Sequence, residues 1–415
     1  MTGRRAIAGH SAQLLTIRGT RVAAQLAVMA LTARWFGPEA AGRFALALAI
    51  TAPVFVLADL GLRTLYLSRA PRPPLAYVLR LRLLSTALAV AVCAVVALLR
   101  PQLAPVIVAV TATKVADLLI DTSIGPVQLR GRLWWATAIT VAGTATMLAL
   151  YVRLSGLGFA PALLVASLAG SVILCVASVA VGVLASREVE SSGASHRVTG
   201  GLLRDGIAVG VSLGMLSLAT ALPQYMLAAV YSPVVSGRYA VMIYLVVAGE
   251  MLMNAIGQAG LPHLVDRRES GGLAALSAVG NRYLLRGTLA ALPAAVLAVA
   301  AGAVVIPAVM GPVYAFAWTE SAVLVVMLTL LPALFTGSVV LQAMNLYRAT
   351  AAISAGALLL VAVCTVLLVP VLGVTGALMS AAAGTALRIA LAQRRWRTAT
   401  ERTSSSTAGA VSWSS

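Results

Sequence analysis

Five stretches of this chain contain no Asp, Glu, Lys or Arg: Leu154–Ser186, Gly206–Gly237, Gly287–Thr319, Ser321–Tyr347 and Ala349–Leu387. Each is longer than the ~20 residues that a helix needs to cross a bilayer. In hydrocarbon every backbone N–H and C=O must be paired internally, which leaves helices and closed barrels. A barrel would show segments of about ten residues alternating in hydropathy, and these runs do not alternate. The chain is therefore expected to be an all-α polytopic membrane protein.

Hydrophobic residues make up 60% of the chain and charged residues 10%, where a soluble domain has roughly half and a quarter. The net charge of +18 does not point to nucleic acid. Of 30 cations, 29 are Arg and one is Lys114, and most lie between apolar runs, where they orient spans. About twelve spans are predicted, from Leu14–Ala33 to Val374–Leu391. Connections on one side hold 21 Arg; those on the other hold five, namely Arg34, Arg43, Arg100, Arg153 and Arg238. That bias places both termini in the cytoplasm and supports an even number of spans. No cleavable signal follows Arg4 and Arg5, so the first span is expected to be retained.

The chain repeats itself. Pro38, Gly42, Arg43, Phe44 and Ala45 correspond to Pro233, Gly237, Arg238, Tyr239 and Ala240, all at an offset of 195 residues. This is close to half the length and predicts two six-helix bundles related by an internal repeat. The expected organisation is an N-terminal bundle over 1–186, a polar cytoplasmic linker over 187–201, a C-terminal bundle over 202–397 and a disordered Ser/Thr-rich tail over 398–415.

Charges inside apolar spans are costly and mark functional positions. Lys114, Asp117 and Asp121 are spaced i, i+3, i+7 and share one helix face. They form either a polar stripe along a solvent path, with an acid able to exchange protons, or an internal pair of Lys114 with Asp117. Arg18 and Arg21 lie three apart. They either greet an anionic head group through the guanidinium fork or snorkel to the interface. Asp59 and Arg63, at i, i+4, are expected to pair at the cytoplasmic end of span two. Glu250 lies mid-span with no cation within a helical turn. Cys93, Cys175 and Cys364 fall in apolar runs and read as packing residues. No nucleotide-binding loop, His-based metal spacing or catalytic triad pattern occurs, so neither an enzyme nor a cofactor or metal is expected.

The stretch RWFGPEAAGRFALALAITAPVFVLADLGLRTLYLSR, running from Arg34 through Asp59–Leu62, resembles the N-terminal signature of polysaccharide and oligosaccharide flippases. These (Wzx-type) proteins belong to the multidrug/oligosaccharidyl-lipid/polysaccharide exporter superfamily. Gly237–Pro262, Gly311–Ala317 and Leu372–Leu391 resemble later segments of the same family, in the same order. The resemblance implies two six-helix bundles around a central cavity, alternating access without ATP, and a lipid-diphosphate-linked oligosaccharide as cargo. It implies a multi-pass protein of a bacterial cytoplasmic membrane, working beside membrane lipid, glycosyltransferases and a polysaccharide polymerase. On that reading Arg18, Arg21 and Lys114 contact the head group, Asp117, Asp121 and Glu250 couple an ion, and Asp59 with Arg63 forms a gate. A drug or small-cation antiporter of the same superfamily, or a membrane assembly protein without transport, are the competing readings.

Overall fold

A computed structural model describes the backbone of residues 2–68, 74–130, 132–190, 202–344 and 346–411; within 254–277 it describes no side chain. All regular structure in these residues is helical. The elements are α1 (Thr2–Asp59), α2 (Leu62–Ser68), α3 (Leu75–Leu99), α4 (Ala104–Leu129), α5 (Leu133–Leu154), α6 (Phe159–Glu190), α7 (Leu202–Val230), α8 (Pro233–Met310), α9 (Trp318–Ala343) and α10 (Tyr347–Val411). Single 3-10 turns at Ser155–Leu157 and Pro312–Tyr314 precede α6 and α9.

Nine stretches among the described residues are long and apolar enough to span a membrane. Two of them are of double length, Leu15–Asp59 and Ala349–Thr398. Both break at a glycine. Gly37 has φ 86°, ψ 170°, and Gly373 has φ 57°, ψ −128°. Only a residue without Cβ takes such angles readily. The 26-residue α4 carries no charge apart from Lys114, Asp117 and Asp121. Counting each broken stretch as two and adding α4 gives the twelve spans expected. The protein is a multi-pass helical membrane protein.

Two compact units are present, Met1–Val241 with Val309–Val313, and Met242–Ala308 with Tyr314–Ser415. In the first unit α6 packs on α4 and α5, and α1 packs on α4, α5 and α7. The bundle division read from the repeat assigns α7 to the second half. By its contacts α7 lies on α1, where the Tyr225 hydroxyl donates to the Ala49 carbonyl at 2.6 Å. The expected linker at 187–201 falls mostly outside the described residues. The expected tail at 398–415 begins inside α10, whose described backbone continues as helix to Val411.

The repeat has a direct structural expression. Gly42 lies against the Pro233 carbonyl, and a Cβ placed on Gly237 would stand 2.8 Å from Gly42 Cα. The two glycines at equivalent repeat positions therefore touch, and neither has room for a side chain.

Helix α3 shows how periodicity positions the site. Its buried residues are Leu75, Val78, Arg82, Thr86, Ala89, Cys93 and Ala97. These recur every three or four residues and trace one helix face. Six of the seven are small or apolar; the exception is an arginine.

Candidate functional site

The charges of the first unit gather around α4. Arg21 Nε lies 3.2 Å from Asp117 Oδ1, and Lys114 Nζ lies 3.9 Å from Asp117 Oδ2. One turn further along, Asp121 Oδ1 accepts from Arg63 Nη1 at 3.2 Å, and its Oδ2 lies 4.0 Å from Arg82 Nη2. Arg63 Nη2 also donates to Gln128 Oε1 at 3.0 Å. The two alternatives for α4 thus occur together: Lys114 pairs with Asp117, and the same stripe receives arginines from α1, α2 and α3.

Arg82 is the most enclosed member, with its side chain fully buried. Its Nε donates to Thr122 Oγ1 at 2.6 Å. Its Nη1 donates to the Asp59 carbonyl at 2.9 Å and the Ala58 carbonyl at 3.4 Å, and its Nη2 donates to Asp59 Oδ1 at 2.7 Å. A buried guanidinium is tolerable only when its donors are met in this way.

The expected pair of Asp59 with Arg63 does not form. The helix breaks between them at Leu60 (φ 51°) and Gly61 (φ 56°). The i, i+4 geometry is lost, so Asp59 takes Arg82 and Arg63 takes Asp121. Positive φ at a bulky residue such as Leu60 is uncommon. Here the corner is held by the four hydrogen bonds that the three nitrogens of Arg82 direct at Thr122, Ala58 and Asp59.

Arg18 differs from its neighbours. It lies within electrostatic reach of Asp121, Arg63, Arg21 and Asp59, yet it is exposed and takes part in none of the ion pairs among the described residues. The cluster sets Arg18, Arg21, Arg63, Arg82 and Lys114 against Asp59, Asp117 and Asp121, a surplus of two positive charges. Such a surplus can hold an anionic group that brings its own negative charge.

In the second unit Glu250 on α8 lies within electrostatic reach of Arg388 on α10. Sequence spacing gives Glu250 no cation within a helical turn; the fold brings Arg388 of another helix into its electrostatic range. Glu320 is local in role. Its Oε2 accepts from the Ala317 N–H at 2.6 Å and caps the start of α9. A separate apolar cavity of about 710 Å³ lies between α8 and α9, lined by Leu245, Ala294, Leu331 and Phe335 among others.

Comparison of the whole chain with solved structures decides the fold. An inward-facing multidrug resistance MATE family transporter of the MOP superfamily matches with a TM-score of 0.64 at 12% identity, over 92% of this chain and 95% of that one. The chain has the MATE transporter fold. An outward-facing MATE structure matches with a TM-score of 0.62 at 16% identity, over 96% of both chains. A MOP superfamily transporter from Pyrococcus furiosus matches with a TM-score of 0.60 at 15% identity, over 95% of both chains. That protein is described as having a binding pocket of reversed polarity, which suggests a different function for it. No protein-family model and no curated protein matches the sequence. On this MATE fold the charges expected from α1, α2 and α4 meet in one unit, and Arg82 of α3 joins them.

Arg82 is the member that sequence reasoning missed, because it was counted among the loop arginines. Its signal was available. Arg80 and Arg82 are two residues apart, so on a helix they point to opposite sides. Only Arg82 falls in register with Val78, Thr86, Ala89 and Cys93.

Proposed function

We propose that this protein moves a lipid-diphosphate-linked oligosaccharide across a bacterial cytoplasmic membrane by alternating access, without ATP, for synthesis of a cell-surface polymer. The observation that carries the reading is the positive surplus in the α1–α4 cluster, with Arg18 exposed and outside the ion pairs of the described residues. A diphosphate is the ligand chemistry that a free guanidinium in a cationic cluster favours. The flippase resemblance of the segments around Gly37–Pro38 and Asp59–Leu62 supports the same cargo. Arg18 is the first head-group contact. Arg21 and Lys114 hold the positive field beside it. Asp117, Asp121 and Glu250 are the groups through which an ion gradient enters the cycle. Moving one charge through the membrane potential is worth about 2.3 kcal/mol per 100 mV, enough to bias an exchange between two states. Asp59 and Arg63, each with its own partner at the Leu60–Gly61 corner, act as the gate. Both termini lie in the cytoplasm, and glycosyltransferases and a polymerase work upstream and downstream of the transporter.

The test is flipping of a fluorescent lipid-diphosphate oligosaccharide in proteoliposomes under an imposed potential. The wild-type protein is expected to flip it without nucleotide, and Arg18→Gln to lose most of that rate while still folding. Wild-type flipping by the variant would remove Arg18 from the mechanism.

A second reading, a drug or small-cation antiporter, draws on the likeness to multidrug MATE structures. It predicts gradient-driven movement of a lipophilic cation in the same proteoliposomes and none of the lipid. The positive surplus of the cluster opposes it, because a cationic drug would be repelled there.

A further inference from the structure

Inside the first unit, between α1, α4, α5 and α6, lies a cavity of about 60 Å³. A single buried water needs about 10–15 Å³, so the space admits an occupant of small-ion size. Its lining includes Arg21, Asp117, Thr140, Thr144, Ser167 and Ser171. Among the described residues three buried polar atoms of this wall have no hydrogen-bond partner: Nε and Nη2 of Arg21 and Oγ of Ser171; of these, Nε has Asp117 Oδ1 at ion-pair distance. Ser171 is 7% exposed and Ser167 2%, so the polar wall is part of the interior. The Thr140 hydroxyl already donates to the Ala136 carbonyl at 2.8 Å.

The missing partner must be an acceptor, because a guanidinium only donates. Water would meet that requirement. The charge count asks for more. Arg21 and Lys114 face one carboxylate, Asp117, which leaves one positive charge uncompensated beside the cavity. A cation would be repelled by both basic groups, whereas one monovalent anion accepts from Arg21 Nη2 and Ser171 Oγ and cancels the excess. We propose that this cavity is a binding site for a small monovalent inorganic anion, of which chloride is the probe, held by Arg21 and Ser171 and separate from the cargo. The anion gives Arg21 Nη2 the acceptor it lacks and so joins α1 to α6. The site stands whether or not the cargo is a lipid-linked oligosaccharide.

The experiment is thermal unfolding of the full-length protein in detergent at constant ionic strength, with sodium chloride, choline chloride or sodium gluconate. The expected result is a saturable rise in Tm of about 2–4 °C with either chloride salt relative to gluconate. The rise should be lost in Ser171→Ala, which removes one hydroxyl, and in Arg21→Gln. If Arg21→Gln does not fold, Ser171→Ala carries the comparison alone. Equal Tm in chloride and gluconate would overturn the proposal and leave water as the occupant. A response that follows sodium would overturn it in favour of a cation held by the hydroxyls and Asp117. A chloride response unchanged in Ser171→Ala would place the anion elsewhere and equally overturn it.

Discussion

Arg82 binds both the side chain and the main chain of Asp59, with Nη2 2.7 Å from the carboxylate and Nη1 2.9 Å from the carbonyl. Asp59 is the last residue of α1, where helix carbonyls lack intrahelical partners and favour a cation. One arginine thus neutralises the acid and caps the helix. Arg82→Ala leaves a carboxylate and two carbonyls without their donor. A loss of about 3 kcal/mol is expected, the low end for a broken buried pair because Asp59 is partly exposed. Arg82→Lys should recover little, since an ammonium cannot reach Thr122, Asp59 and Ala58 together. Chemical or thermal unfolding in detergent measures both.

Gly42 and Gly237 leave each other no room. Gly42→Ala drives a methyl into the Pro233 carbonyl, and Gly237→Ala places one 2.8 Å from Gly42 Cα. Each is expected to cost about 1–3 kcal/mol, as overpacking does. The double variant should cost less than the sum, because one separation of the helices relieves both contacts. Unfolding of the two single variants and the double completes the cycle.

Arg18 and Arg21 should separate in their effects, although they sit three residues apart. Arg21 is paired with Asp117 at 3.2 Å, so Arg21→Gln lowers the unfolding temperature as well as transport. Arg18 is exposed and outside the ion pairs of the described residues, so Arg18→Gln lowers the flipping rate with the unfolding temperature unchanged. Parallel proteoliposome and melting measurements on the two variants check this.

Tyr314, in the turn between α8 and α9, supplies a pH prediction. Burial pushes its phenol from 10 up to about 12, and among the described residues its hydroxyl has no hydrogen-bond partner. The folded state keeps this proton more tightly than the unfolded state. Its contribution is therefore full below pH 10 and is lost as the pH rises toward 12. Tyr314→Phe should leave stability at neutral pH close to wild type or slightly raise it. The variant should also lose less stability than the wild type between pH 10 and 12, read as the difference between the two unfolding curves.

The helices were legible because hydrocarbon imposes a length and forbids charge, and both are properties of residues near in sequence. The breaks at Gly37 and Gly373 were likewise local. Pairing was not. Asp59 and Arg63 look like partners at i, i+4, but that spacing has meaning only within one helix, and Leu60 ends it. The partners that form, Asp59 with Arg82 and Arg63 with Asp121, are 23 and 58 residues apart. Arg388 is further still from Glu250. Such pairings follow from which helix faces meet, information carried by the packing of α3 on α4 and invisible to spacing along a single span. Arg82 was overlooked for a different reason: loop arginines and buried arginines look alike until the helix register is fixed by its apolar neighbours.

The contact between Gly42 and Gly237 joins a position to its own copy in the repeat. Each copy of the position is thus part of the other's packing environment. In a pair of identical half-length chains, one glycine would face itself there, and a single codon would serve both sides. With the two copies on one chain, two codons must hold one shared gap, and neither can drift without altering the other's surroundings.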